Sequence, residues 1–280
     1  MLGVFVMMIW GANYSVIKVG LDSLDPFMLT ALRFFLCALP AIFFVKPPRG
    51  KMWAAVIYGL IFGIGLWGMV NLGMYWGVPA GLAAVLLQFS AFFTILWGML
   101  FFNDALKPGQ AIGILIALVG FLIIIATSKG WTALSGVLLI ILAAFSWSLC
   151  NIIIKKTQPN NLLPFIIWSS LFSAAPLFLL TYCIKGALPF ILLPDELNKS
   201  AVFSLFFQAY VTTIFGYWVW SFLIKKYSAT EVAPLSMLIP VFGFAGAYGM
   251  FHEVLSPIKV CGAVVMLAGM ALFLLRPFHR

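Results

Sequence analysis

The chain alternates between long apolar runs and short polar connections. Ten of the runs have the length of about 20 residues that a helix needs to cross the hydrocarbon core of a bilayer. Barrel strands would be about half as long and would alternate polar with apolar positions. The pattern therefore predicts an all-α integral membrane protein with ten transmembrane helices. The runs are 2–19, 27–45, 52–76, 80–101, 108–126, 134–154, 162–183, 200–223, 231–251 and 257–275.

The second half of the chain repeats the pattern of the first. Asp104-Ala-Leu-Lys-Pro108 shares its acid, Leu and Pro positions with Glu253-Val-Leu-Ser-Pro257, and each stretch opens an apolar run. Each unit has five runs, an odd number, so the second unit must enter the membrane upside down. We expect two inverted five-helix repeats, residues 1–127 and 134–276, a typical transporter organisation with its binding site near the midplane. Further matching pairs are Trp10 with Trp147, Lys18 with Lys155, Pro26 with Pro164, Gly113 with Gly262, and Gly120 with Gly269.

Composition and charge agree with a membrane location. Apolar residues make up 64% of the chain and charged residues 8%, far from the composition of a soluble domain. The net charge of +9 comes from short clusters between the runs and not from one basic face, which argues against a nucleic-acid partner. Lys and Arg concentrate in the connections that share a side with the N-terminus, so both termini are predicted to be cytoplasmic. These residues are Lys46, Arg49, Lys51, Lys107, Lys155, Lys156, Lys225, Lys226, Arg276 and Arg280.

Short motifs in a fixed order along nearly the whole chain carry a family resemblance. They are Trp10-Gly-Ala-Asn13, Ile17-Lys18, Leu32-Arg33-Phe34, Pro79-Ala-Gly81, Ala143-Ala-Phe-Ser-Trp147, Asn151, Gly216-Tyr217, Val232-Ala-Pro234-Leu-Ser236 and Pro240. On these motifs the chain resembles the EamA-type family of the drug/metabolite transporter superfamily. It is most similar to the O-acetylserine/cysteine exporter type, through Gly77-Val-Pro-Ala-Gly-Leu-Ala83, Gln88, Ala91-Phe-Phe-Thr94 and the stretch 209–242. The resemblance implies two inverted halves, a bacterial inner (plasma) membrane location, and export of amino acids or related metabolites.

Polar and aromatic side chains within the runs are the candidates for substrate binding. A polar group in hydrocarbon is costly unless it meets a cavity or a partner. Amides both donate and accept hydrogen bonds, and aromatic faces can hold an ammonium group. The same groups also tie helices together, so both roles are open for each of them. The candidates are Trp10, Asn13, Asn71, Gln88, Trp147, Asn151, Tyr217, Trp220 and Ser236.

One charge and two prolines within the runs add further expectations. Arg33 lies well inside the second run, where it either contacts an anion or has a structural role at helix ends. Pro234 and Pro240 lie in the ninth run, and each removes a backbone hydrogen bond. We expect a hinge or kink there.

Several chemistries lack the residues that they require. All seven acids lie in connections or at the ends of runs, so a proton relay on a buried carboxylate has no candidate. This favours facilitated diffusion, or coupling by another route. No Gly-rich loop ends in Lys-Ser or Lys-Thr, so ATP is not expected as a partner. The two His residues lie apart from other ligands, and neither a metal nor a cofactor is predicted.

The sequence thus predicts a secondary transporter that exports small metabolites by alternating access between its two halves. Its expected partners are a small-molecule substrate and the lipid bilayer, and the oligomeric state is left open. A carrier of lipid-like or nucleotide-linked solutes would need a cationic cavity, for which Arg33 is the one candidate. A membrane-embedded enzyme would need a catalytic cluster within the runs, and the sequence offers none.

Overall fold

The computed structural model describes residues 1–102, 108–127, 131–227, 233–253 and 256–275. These residues are overwhelmingly helical, and no strand occurs among them. Two short helices, Leu188–Ile191 and Leu193–Glu196, lie between the seventh and eighth of the long segments. The long segments are α1 (Leu2–Leu21), α2 (Pro26–Ala38), α3 (Met52–Tyr75), α4 (Ala80–Phe101), α5 (Pro108–Ala126), α6 (Trp131–Thr157), α7 (Leu162–Lys185), α8 (Lys199–Leu223), α9 (Leu235–Phe251) and α10 (Pro257–Leu272).

Most of these segments suit a bilayer in length and composition. Eight described helical segments are long and apolar enough to cross a membrane, and the two shorter apolar helices Leu235–Phe251 and Pro257–Leu272 follow them. Large apolar side chains such as Leu115, Leu122 and Leu179 are more than half exposed on the outside of the bundle. Exposed apolar surface of this extent is typical of contact with lipid. The protein is therefore a multi-pass membrane protein.

Two of the long segments change their hydrogen-bonding pattern midway. In α3, the π-helical stretch Ile61–Gly68 separates the α-helices Met52–Leu60 and Met69–Tyr75. In α8, the π-helical stretch Phe207–Phe215 lies between Lys199–Phe206 and Gly216–Lys226. π-helical turns are rare and occur frequently at functional sites. Both stretches contribute residues to the cavity described below.

Two further segments are interrupted near their N-terminal ends. A turn at Gln88 and Phe89 divides α4 into Ala80–Leu87 and Ser90–Phe102. The ninth run begins as the 3-10 segment Ala233–Met237, which includes Pro234, and continues as the α-helix Leu238–Phe251, which has Pro240 in its first turn. The ninth run is thus irregular where its two prolines lie, and a hinge there stays a prediction. The second run is also irregular, because a short 3-10 turn at Ala41–Phe43 follows the end of α2.

The packing of α5 against α10 shows their relative direction. A Cβ added at Gly120 would overlap the Gly262 carbonyl, and one added at Gly269 would overlap the Gly113 carbonyl. Small residues allow this close approach of two backbones within a membrane. Because residue numbers rise along α5 while they fall along α10, the two helices run antiparallel.

The packing of α2 against α7 follows the same rule. Asp25 lies 3.9 Å from Lys185, the Phe35 and Phe178 rings are 6.1 Å apart, and Ser170 lies 3.5 Å from Cys37. Residue numbers again rise on one helix as they fall on the other, so α2 and α7 are antiparallel. Besides α7, α2 also packs against α1, α3 and α8.

Candidate functional site

A small cavity lies where α1, α2, α3, α6, α8 and α9 converge. The centre of a water molecule can occupy about 30 Å³ of it. A water molecule needs roughly 10–15 Å³ by this measure, so two or three would fit and a metabolite would not. The lining residues are Trp10, Asn13, Tyr14, Arg33, Leu66, Trp67, Trp147, Thr212, Tyr217 and Ile239.

Asn13 connects α1 to the π-helical stretch of α8. Its side chain is fully buried, and its Oδ1 accepts a hydrogen bond of 3.0 Å from the Thr212 hydroxyl. The Thr212 carbonyl in turn accepts a 3.0 Å hydrogen bond from the Trp10 indole N–H. Within the part of the chain that the structure describes, the Asn13 Nδ2 has no acceptor. One residue of α8 thus positions both Trp10 and Asn13 and leaves the Asn13 amide N–H groups for the cavity.

Arg33 brings a positive charge to the cavity. It is fully buried and donates to the Thr213 hydroxyl at 3.1 Å and to the Gln208 Oε1 at 3.5 Å. Its guanidinium lies over the Trp67 ring, 4.2 Å from the centroid. In the described part of the chain no carboxylate forms an ion pair with it. A buried charge without a counter-charge is costly, so Arg33 is supported here by hydroxyl, amide and aromatic contacts.

Aromatic rings form another part of the wall. The Trp10 ring lies 5.5 Å from the Tyr217 ring and 5.3 Å from the Trp220 ring. A Cβ at Gly216 would lie 2.5 Å from the Trp10 indole nitrogen, so glycine is required for the indole to approach α8 this closely. Trp147 lines the cavity from α6. Such a wall can pack against apolar groups or hold an ammonium group.

The sequence model of the EamA-like transporter family matches residues 1–126 and 134–275. The chain belongs to this family. It is 37% identical over 275 residues to a "probable amino-acid metabolite efflux pump" of Salmonella typhimurium (strain LT2), covering 96% of this chain and 92% of the relative. A protein of the same name from Escherichia coli K12 has the same identity and coverage.

Two more distant comparisons add a further transporter relative and a solved structure with the same fold. An "uncharacterized inner membrane transporter YedA" of Escherichia coli K12 is 26% identical over 294 residues, 96% of this chain and 90% of the relative. A crystal structure with 16% identity superposes with a TM-score of 0.67 over 96% of this chain and 94% of that one. The EamA-family chain therefore shares a known helical fold.

Asn71 and Asn151 of this EamA-family protein lie outside the cavity lining. Asn71 donates a 2.8 Å hydrogen bond from α3 to the Thr30 hydroxyl on α2. Asn151 donates a 3.1 Å hydrogen bond from α6 to the Thr94 hydroxyl on α4. Both amides thus tie neighbouring helices, and a role for them in substrate binding stays a prediction.

Gln88, Ser236 and Trp220 are also absent from the lining. Gln88 donates a 2.9 Å hydrogen bond to the Ser236 backbone carbonyl, which joins the break in α4 to the 3-10 start of α9. Trp220 packs against Trp10 and therefore supports a residue that does line the cavity. Their part in substrate binding likewise stays a prediction.

Five of the lining residues were not among the sequence candidates. The side chains of Leu66 and Ile239 are apolar and carry no signal of a site. Tyr14 directly follows Asn13, and Trp67 lies between the glycines of the third run, so aromatic character within a run was the available signal. Thr212 is a small hydroxyl, which helices also use for packing. The full set is Tyr14, Leu66, Trp67, Thr212 and Ile239.

Proposed function

We propose that this EamA-family protein exports small metabolites, amino acids or derivatives such as cysteine and O-acetylserine, across a bacterial inner membrane. The observation that carries the proposal is the small cavity between six helices, lined by polar and aromatic groups such as Asn13, Trp147 and Tyr217. Amide and aromatic groups suit a small zwitterion. Two relatives of 37% identity are named probable amino-acid metabolite efflux pumps, which supports the same substrate class.

The proposal includes ten transmembrane helices in two inverted repeats, residues 1–127 and 134–276, with both termini cytoplasmic. The antiparallel pairs α2 with α7 and α5 with α10 support it, because each pair holds the same position in the two units. The π-helical stretches support it too, since Ile61–Gly68 and Phe207–Phe215 both lie in the third helix of a unit. The shorter α9 and α10 pack along α1 and α5, which are long enough to span. Residues 103–107 and 276 of these units, including Asp104, lie outside the described residues.

The size of the cavity supports alternating access. Because the cavity has room for only two or three water molecules, a solute enters only when helices around it separate on one side. In inverted-repeat transporters, one unit rocks against the other around a central site. The lining residues include no Asp or Glu, which favours facilitated diffusion over coupling through a carboxylate in the site.

Efflux from proteoliposomes tests this function. Vesicles with purified protein would be loaded with labelled amino acids, including cysteine and O-acetylserine, with and without a pH gradient. We expect saturable efflux that Asn13→Ala reduces and that Asn160→Ala leaves unchanged, because Asn160 is exposed between α6 and α7. An equal rate with and without the gradient would support facilitated diffusion. If no amino acid of the panel leaves faster than it leaves loaded vesicles without protein, the proposal is ruled out. A lipid-like or nucleotide-linked solute would then be favoured.

A further inference from the structure

Three hydrogen-bond donors in the cavity wall have no acceptor among the described residues. They are the Asn13 Nδ2, the Arg33 Nε and the Trp67 Nε1. Asn13 and Arg33 are 0% exposed and Trp67 is 8% exposed, so bulk water does not satisfy these groups. A buried donor without a partner is destabilising and uncommon in native proteins. Three of them from three different helices, α1, α2 and α3, meet at one cavity.

The charge of the cavity has one sign. Arg33 contributes a guanidinium, which stays charged in proteins, and the lining residues include no carboxylate. The ion pairs found among the described residues lie at helix ends, between Lys18 and Glu253 and between Asp25 and Lys185. The cavity thus offers donors and a positive charge to whatever enters it. A carboxylate matches both, because it only accepts hydrogen bonds and pairs strongly with arginine.

We propose that Arg33, Asn13 and Trp67 form a receptor for the carboxylate group of the transported solute. This inference rests on the proposed function and specifies its substrate class: amino acids and other small carboxylates bind, while the matching amines and esters do not. The aromatic wall of Trp10 and Tyr217 is left to hold the remainder of the solute, either an ammonium group or an apolar side chain.

The two repeat units of the chain differ at the position of Arg33. The pairing of Pro26 with Pro164 places Leu171 of α7 in the position that Arg33 has in α2. An arginine needed only to hold the repeat fold would be expected in both units, yet α7 packs without one. A solute with one carboxylate needs one receptor, which agrees with a charge in one unit.

Binding without transport is the first test. Cysteine, 3-mercaptopropionate and cysteamine share a thiol and a two-carbon chain, and they differ in having both charged groups, the carboxylate only, or the ammonium only. Phenylalanine, 3-phenylpropionate and phenethylamine form a larger set of the same kind. Thermal unfolding of the protein in detergent would be followed with each compound, since a ligand that binds the folded state raises the midpoint. We expect stabilisation by carboxylates of at least one set and none by its amine. Equal stabilisation by the amine, or none by any carboxylate, would overturn the receptor.

Variants separate the receptor from a structural arginine. Arg33→Gln should weaken carboxylate binding by about 10- to 100-fold, the effect of losing a charged hydrogen bond. Arg33 also ties α2 to α8, so Trp67→Phe provides a second variant that keeps the ring beneath the guanidinium and removes only the indole donor. We expect it to bind carboxylates severalfold more weakly. Trp168→Phe is the matched control, because Trp168 donates to the Val45 carbonyl away from the cavity. Unchanged carboxylate affinity in both Arg33→Gln and Trp67→Phe would contradict the receptor.

Competition in proteoliposomes separates this inference from the proposed function. The same compounds would compete with a labelled amino acid during counterflow. Carboxylate-selective stabilisation without any counterflow would support the receptor and count against transport of that solute. Counterflow that the amine inhibits as well as the carboxylate does would support transport and overturn the receptor.

Discussion

Lys18, in the last turn of α1, forms an ion pair with Glu253, the second residue after α9. The second oxygen of the same carboxylate accepts a 3.2 Å hydrogen bond from the backbone N–H of Ala80, the first residue of α4. The Lys18 ammonium also lies 4.4 Å from the centroid of the Phe251 ring. One carboxylate therefore joins the ends of three helices. Because α1 and α9 both line the cavity, opening between them on this side separates these groups.

Removing the ion pair between Lys18 and Glu253 should destabilise the folded protein slightly. We expect Lys18→Met and Glu253→Gln each to lower the free energy of unfolding by up to about 1 kcal/mol, because the pair is partly exposed. The double variant should be no less stable than either single variant, since both remove one interaction. Thermal unfolding in detergent measures this, and additive losses would contradict it. Glu253→Ala also removes the acceptor of Ala80, so it alone should speed amide hydrogen exchange at the start of α4.

The close approach of Gly216 to Trp10 predicts a steric effect. Gly216→Ala would place a methyl group 2.5 Å from the Trp10 indole nitrogen. The indole must then move and lose its hydrogen bond to the Thr212 carbonyl, at a cost of about 1–3 kcal/mol. Gly249→Ala is the matched control, because no atom lies within 4 Å of the added Cβ. It should be neutral or stabilising, since alanine is the better helix former. Equal unfolding temperatures for the two variants would argue against this packing.

The packing of α2 against α7 can be tested by oxidation. The Ser170 hydroxyl lies 3.5 Å from the Cys37 sulfur, so Ser170→Cys brings two thiols to near bonding distance. Copper phenanthroline, which enters membranes, should oxidise them to a disulfide with loss of two hydrogens. Mass spectrometry of peptides would identify the link between α2 and α7. Ser169→Cys is the control, because Ser169 contacts Gly59 on α3. A link in the control and none in Ser170→Cys would refute the described register.

The sequence allowed the helical membrane class and the family to be predicted, because apolar run length and motif order are properties of the chain alone. The hydrogen-bond partners of Asn71 and Gln88 could not be predicted from the sequence. An amide within a run looks the same in the sequence whether it faces a cavity or a hydroxyl or carbonyl of a neighbouring helix. The break in α4 at Gln88 was missed for a related reason, because an apolar run continues through it without a proline or glycine. Asn13 and Trp147 line the cavity. Each lies in the first helix of its unit, within one of the short motifs from which it was named as a candidate.

Asn13→Asp gives the sharpest prediction on the charge of the site. The change would add a carboxylate to a cavity whose lining residues have none and which the guanidinium of Arg33 also lines. When ionised, the new group should occupy the donors that the solute needs, so efflux should be low at neutral pH. Asn13→Leu removes the amide, adds no charge and leaves the other donors free, so its efflux should be reduced less than that of Asn13→Asp. Efflux rates at neutral pH distinguish the two variants, and identical rates would mean that the Asn13 position does not face the charge of Arg33.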